Sequence, residues 1–157
     1  TSKDIMTTET FGDFDLTFDW KISPKGNSGV MFHVTEAGQE TYQSGPEYQV
    51  LDNSRGEPPL EQAGGLFALY APEGAVTKPV GEYNTGRIVV DHGKVEHWLN
   101  GVKVAAYDLN SADFKARVAA SKFGKWSMFA ASPTGHIALQ NHGDAVWFKN
   151  LKIRRLR

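Results

Sequence analysis

Residues 14–22, Phe14-Asp15-Leu16-Thr17-Phe18-Asp19-Trp20-Lys21-Ile22, decide the fold class. Apolar side chains hold every even position and polar ones every odd position, a period of two that suits an extended strand with one buried face. Working outward, Pro24-Lys25-Gly26-Asn27 breaks the chain as a turn. Ser28 to Val34 then reads as a second strand, with Val30, Phe32 and Val34 alternating with Met31 and His33. After a polar stretch from Thr35 to Gly45, Glu47 to Asp52 and Gly64 to Tyr70 read as strands, joined by a Gly-, Pro-, Glu- and Gln-rich surface loop. Arg87 to Asp91 and Lys94 to Leu99 form a predicted hairpin around His92-Gly93. Asn100-Gly101, a strong type I′ signal, leads into a strand from Val102 to Tyr107. Asn110 or Ser111 caps a short helix through about Ala120, and Ile137 to Gln140 and Ala145 to Ile153 close the chain as strands. Strands at a spacing of roughly 10 residues with turn signals between them predict an all-β chain, an antiparallel sandwich of two sheets with one short helix.

Composition agrees with one compact domain over residues 1–157. A chain of this length buries about 70% of its unfolded surface. It is 40% hydrophobic and 11% aromatic with 16 Gly and 7 Pro, which excludes a disordered chain. A formal charge of -1 argues against nucleic-acid or anionic-membrane partners, which require a basic surplus. With no cysteine, thiolate metal sites and a cysteine nucleophile are excluded. No stretch reads as a spanning helix, so membrane insertion is not expected.

The densest polar constellation is Glu47-Tyr48-Gln49-Val50-Leu51-Asp52, where Glu47 and Gln49 share one strand face. Asp52 joins that face only if a bulge shifts the alternation. The same pattern also suits an exposed face of solvated polar side chains. His33 lies on the polar face of its strand, and His142 sits in the turn Gln140-Asn141-His142-Gly143; histidines suit proton transfer near neutral pH. His97 shares a face with Val95 and Leu99 and reads as a packed, hydrogen-bonded residue. Tyr70 and Trp98 are candidate platforms for a sugar ring, whose C–H faces stack on aromatics while its hydroxyls need polar partners. No metal-ligand spacing appears, so no cofactor is expected, although Asp, Glu, His and Gln side chains leave a divalent metal open.

In order along the chain, Phe11-Gly12-Asp13-Phe14-Asp15-Leu16, Gly26-Asn27-Ser28-Gly29-Val30-Met31-Phe32, Glu47-Tyr48-Gln49-Val50-Leu51-Asp52 and Arg87-Ile88-Val89-Val90 resemble the 3-keto-disaccharide hydrolase family. So do His97-Trp98-Leu99-Asn100-Gly101, Ser121-Lys122-Phe123, the run from Gly135 to Gly143 and Val146-Trp147-Phe148-Lys149-Asn150-Leu151-Lys152-Ile153. The resemblance implies a concanavalin A-like jelly-roll sandwich in a periplasmic or extracellular bacterial protein that acts on glycosides. It also implies an opening strand before Thr1, so that 1–157 is expected to be the visible part of the fold. Retaining endoglucanases of the same fold carry a pattern E-x-D-x-x-E, where this chain has Glu47-x-Gln49-x-x-Asp52, which counts against ordinary double displacement.

The substrate that the resemblance implies is a glycoside already oxidised to a ketone at carbon 3. The ketone acidifies the hydrogen on carbon 2, so the glycosidic bond breaks by elimination through an enolate, followed by water addition. Glu47 or His142 is then the expected base, and Asp52 or His33 the expected acid. Gln49, Lys122 and Arg87 are expected to hold the oxyanion, with Asn27, Tyr70, Trp98 and Gln140 binding the sugar. The competing reading is a noncatalytic, lectin-like carbohydrate-binding module; a third is a surface for protein contacts alone.

Overall fold

A computed structural model describes residues 3–74 and 76–156; Thr1 lies outside them. Among the described residues, nine strands form two antiparallel sheets. β1 (Ile5–Met6), β3 (Asn27–Val34), β4 (Glu47–Leu51) and β8 (His136–Leu139) make a small sheet in the order β1-β8-β3-β4. β2 (Phe14–Ile22), β5 (Asn84–Asp91), β6 (Lys94–Leu99), β7 (Val102–Asp108) and β9 (Val146–Arg155) make a large one in the order β7-β6-β5-β2-β9.

The sandwich follows from β2. Its even positions, Phe14, Leu16, Phe18, Trp20 and Ile22, are all buried and face Phe32, Tyr48 and Val50 of the small sheet across one core. Each such side chain contributes roughly 1.5–3 kcal/mol on burial. Phe18 meets Tyr48 edge-on at 5.1 Å, and Phe14 meets Phe32 at 6.1 Å. Buried polar links join the two layers. Tyr48 Oη donates to the Trp98 carbonyl at 2.9 Å. His97, fully buried, donates from Nδ1 to the Gly64 carbonyl at 3.0 Å, so its Nε2 accepts from Tyr107 Oη at 2.8 Å. Burial lowers its pKa to about 4 and keeps it neutral.

Segment 64–70 is not a strand. Leu66 and Tyr70 exchange backbone hydrogen bonds of 3.0 Å, with Ala68 at φ 65°, so the chain folds back on itself and drives Leu66 and Leu69 into the core. Backbone bonds from Phe67 N to the Glu47 carbonyl and from Gln49 N to Gly65 clip this loop alongside β4.

The helix α1 (Ala112–Ala120) begins where Ser111 accepts a hydrogen bond from Phe114 N at 3.1 Å. Phe114 stacks on Tyr107, docking α1 against β7. Ser121 ends the helix and caps a 3₁₀ turn, Lys122–Lys125, which places Lys122 over the small sheet's outer face. No helix among the described residues is long and apolar enough to cross a membrane.

Candidate active site

The outer face of the small sheet carries a cavity of about 140 Å³. Glu47, at the start of β4, forms one wall, and Asn27, at the start of β3, another. Gln140 and His142 enter from the segment after β8, and Lys122 from the turn after α1. Tyr42, Phe67 and Phe123 supply apolar surface. The Lys122 ammonium sits among all three rings, 4.7 Å from the Phe67 centroid, 5.4 Å from Phe123 and 5.8 Å from Tyr42.

Local structure accounts for each placement. Gln140 N donates to the Gly29 carbonyl at 2.9 Å, and its own carbonyl accepts from Ser28 Oγ at 2.7 Å, which locks the segment after β8 onto β3. Asp144 accepts from Asn27 N at 3.0 Å and lies 3.9 Å from His142 Nδ1. Asp4 accepts from Asn141 N at 2.7 Å and from the Thr41 hydroxyl, tying the His142 loop to the turn that carries Tyr42.

The electrostatics are unusual at Glu47. Burial pushes its carboxyl up from 4.5 to about 8; the nearby Lys122 cation opposes this and Asp4 adds to it. Glu47 is therefore a neutral acid at pH 7. The amide oxygens Asn27 Oδ1 and Gln140 Oε1 are buried without a hydrogen-bond partner, and both residues line the same cavity. Unpaired buried acceptors are costly, and a ligand that brings hydroxyl donors would satisfy them.

Five of the residues singled out from sequence thus meet: Asn27, Glu47, Lys122, Gln140 and His142. Six do not line this cavity. Gln49 shares the Glu47 face but lies under residues 59–61, donating from Nε2 to the Glu61 carbonyl at 2.9 Å. Asp52 is not carried round by a bulge; β4 ends at Leu51, and the Asp52 carboxylate accepts from Lys25 N and Ser54 N, capping the turn Asn53–Arg55. Those hydrogen bonds hold its pKa low against the opposing effect of burial, the opposite of what an acid needs.

His33 adopts φ 51°, which breaks the strand alternation and turns its ring against Phe14 and Phe32. It donates from Nε2 to the Gly12 carbonyl at 2.8 Å and lines a different cavity with Asp13 and His92. Burial lowers its pKa. Arg87 and Trp98 occupy neighbouring positions on the outer face of the large sheet, where Arg87 forms a two-pronged pair with Asp15 at 2.8 Å and Trp98 Nε1 donates to Glu96 at 2.8 Å. Tyr70 stacks on Tyr107, donates to Asp113 at 2.6 Å and has the Arg117 guanidinium 4.3 Å from its centroid, so its ring is already engaged.

Periodicity could not identify Tyr42 and Phe67, which line the cavity, or Asp4 and Asp144, which brace its loops, because all four lie in turns or loops. One group of three metal-capable side chains occurs among the described residues, Asp13, Asp91 and His92, and it does not line this cavity. Its members are already bonded to one another: His92 N donates to Asp13 at 3.0 Å, and His92 Nδ1 lies 2.5 Å from Asp91.

Comparisons with known proteins relate the chain to others. The chain is 31% identical over 179 aligned residues to a 3-keto-disaccharide hydrolase of Bacteroides thetaiotaomicron, covering 98% of this chain and 62% of that protein. It therefore spans less than two-thirds of that relative's length. A crystal structure from Parabacteroides distasonis, described as a "putative glycosyl hydrolase", superposes with a TM-score of 0.92 at 34% identity, covering 98% of this chain and 76% of the other. The carbohydrate-binding module CBM66 of Bacillus subtilis shares the fold at a TM-score of 0.63 and 12% identity, covering 98% and 83% of the two chains. Residues 1–154 match the family described as the 3-keto-alpha-glucoside-1,2-lyase-like domain, and the chain belongs to that family.

Proposed function

We propose that this chain is a glycoside-processing enzyme that cleaves 3-keto-glycosides by elimination and hydration, with Glu47 as the acid and His142 as the base. The observation that carries this reading is the buried, neutral Glu47 carboxyl facing a small cavity shared with His142 and Lys122. The relatives' names supply the substrate class.

In this scheme His142 removes the proton on carbon 2, and the electron pair moves onto the carbon 3 oxygen as an enolate. The Lys122 ammonium stabilises that oxygen. The enolate then reforms its carbonyl, a double bond forms between carbons 1 and 2, and the bond from carbon 1 to the leaving oxygen breaks. Glu47 donates its proton to that oxygen. Water adds in reverse: its hydroxyl goes to carbon 1 and its proton to the Glu47 carboxylate, while protonated His142 returns a proton to carbon 2. The net change is hydrolysis and uses no redox cofactor. Asn27 and Gln140 accept hydrogen bonds from sugar hydroxyls, and the aromatic walls cover the C–H faces.

The test is to incubate the protein with a 3-keto-glucoside and with its non-oxidised parent and to follow aglycone release. Release from the oxidised substrate alone is expected. Cleavage of the parent alone would replace the scheme with ordinary glycosidase chemistry, and binding of both without turnover would make the chain a lectin-like module.

A further inference from the structure

We infer that Gly29 is a positioning residue: its missing side chain is the berth in which the Glu47 side chain lies. The inference rests on the role proposed for Glu47 in catalysis, but its geometry stands independently. In the β3–β4 ladder, Gly29 pairs with Gln49 and Met31 with Glu47, so Gly29 is diagonal to Glu47 on the same face. The Glu47 side chain folds across the strand and lies over Gly29. A Cβ placed there would be 2.1 Å from Glu47 Oε1 and 2.7 Å from both Cδ and Cγ, whereas ordinary van der Waals contact begins near 3.4 Å. All three of its nearest neighbours belong to one side chain.

Backbone conformation does not require glycine at this position. The positive-φ glycines of the chain are Gly56, Gly64, Gly74, Gly81, Gly93, Gly101 and Gly143, and Gly29 is not among them. It sits in regular strand geometry that an alanine would adopt without backbone strain. The glycine is therefore explained by the space above it. Lying flat on the sheet is also what removes the Glu47 carboxyl from water, so the berth governs both where the acid points and how firmly it holds its proton.

Gly29→Ala tests this. Because the obstructed atoms belong to a flexible side chain, the variant is expected to fold with a melting temperature close to that of the wild type, while Glu47 is displaced toward the cavity. The primary readout is independent of turnover: the Glu47 side-chain carboxyl carbon is followed by NMR titration in both proteins, assigned with Glu47→Gln. The titration midpoint is expected to fall by at least one pH unit in Gly29→Ala. An unchanged midpoint would overturn the inference. With the 3-keto-glucoside, kcat is expected to fall by about 10²-fold, the scale of a positioned acid, with KM changed less than threefold. A moved midpoint with unchanged kcat would leave Gly29 as the berth and remove Glu47 from the chemistry. If Gly29→Ala folds poorly, Gly29→Ala/Glu47→Ala provides the check. Removing the displaced side chain should restore the stability of the single Glu47→Ala variant, and failure to do so would overturn the inference.

Discussion

Replacing Glu47 by Gln tests the electrostatics of the site through stability alone. The amide keeps the shape of a protonated carboxyl but cannot ionise. In the folded wild type, the carboxyl titrates near 8, against an ordinary value of 4.5. Between these values the folded chain holds a proton that the unfolded chain has released. Stability therefore falls as pH rises through this window, at up to about 1.4 kcal/mol per pH unit. Between pH 5.5 and 7.5 the loss integrates to about 2–3 kcal/mol, and the variant lacks it. Burial of His33 and His97 tilts stability the other way, since both prefer to be neutral when folded, but they are common to both proteins and cancel in the difference. The assay is urea unfolding of the two proteins at both pH values. The wild type should lose about 2–3 kcal/mol relative to the variant as pH is raised. Curves that run parallel within about 0.5 kcal/mol would refute the claim that Glu47 is held neutral by burial.

Lys122→Met removes the cation that restrains the Glu47 proton affinity, so the alkaline limb of the pH–rate profile should move upward while turnover drops by about 10²-fold; an unmoved limb would separate the two side chains. Arg87→Ala and Trp98→Ala alter the outer face of the large sheet, and aglycone release should stay within about twofold of wild type, with no more than about 1 kcal/mol lost from the Arg87–Asp15 pair. A tenfold loss of activity in either would place the reaction on the other sheet. His97→Phe strands the Gly64 carbonyl and the Tyr107 hydroxyl and should cost about 2–4 kcal/mol in urea unfolding; a cost below about 1 kcal/mol would show that these groups are not satisfied through His97.

Residues 14–22 are enough to read one strand with a buried face, because the alternation sets both the face and the strand's ends, and the regular spacing of further strands and turns along the chain supplies the sandwich. Ser111 and the Asn100-Gly101 turn are legible for the same reason, since each meets a local backbone requirement. Segment 64–70 is not, because its apolar residues are buried by folding back, which mimics a strand's composition without its ladder. Side-chain parity places a residue on a face but does not say which of two sheets bears the site. Arg87 and Trp98 do face outward, as their alternation implies, yet they face outward from the large sheet and not toward the cavity beside Glu47. Asp52 and His33 depart for backbone reasons, a strand that ends one residue early and a positive φ, that no alternation rule contains. Tyr42, Asp4 and Asp144 reach the cavity or its loops only through tertiary contacts.

The position of β8 has a consequence for how the protein is made. β8 lies between β1 and β3: Leu139 pairs with Ile5 on one side and Val30 on the other. At roughly 5–20 residues per second, a ribosome needs about 5–20 s to pass from the end of β3 to the end of β8. Through that interval β3 has β4 on one side and an open, apolar edge on the other, the arrangement that invites pairing with foreign strands. Chaperone capture of nascent chains should therefore centre on β3 and persist until residues 136–139 emerge.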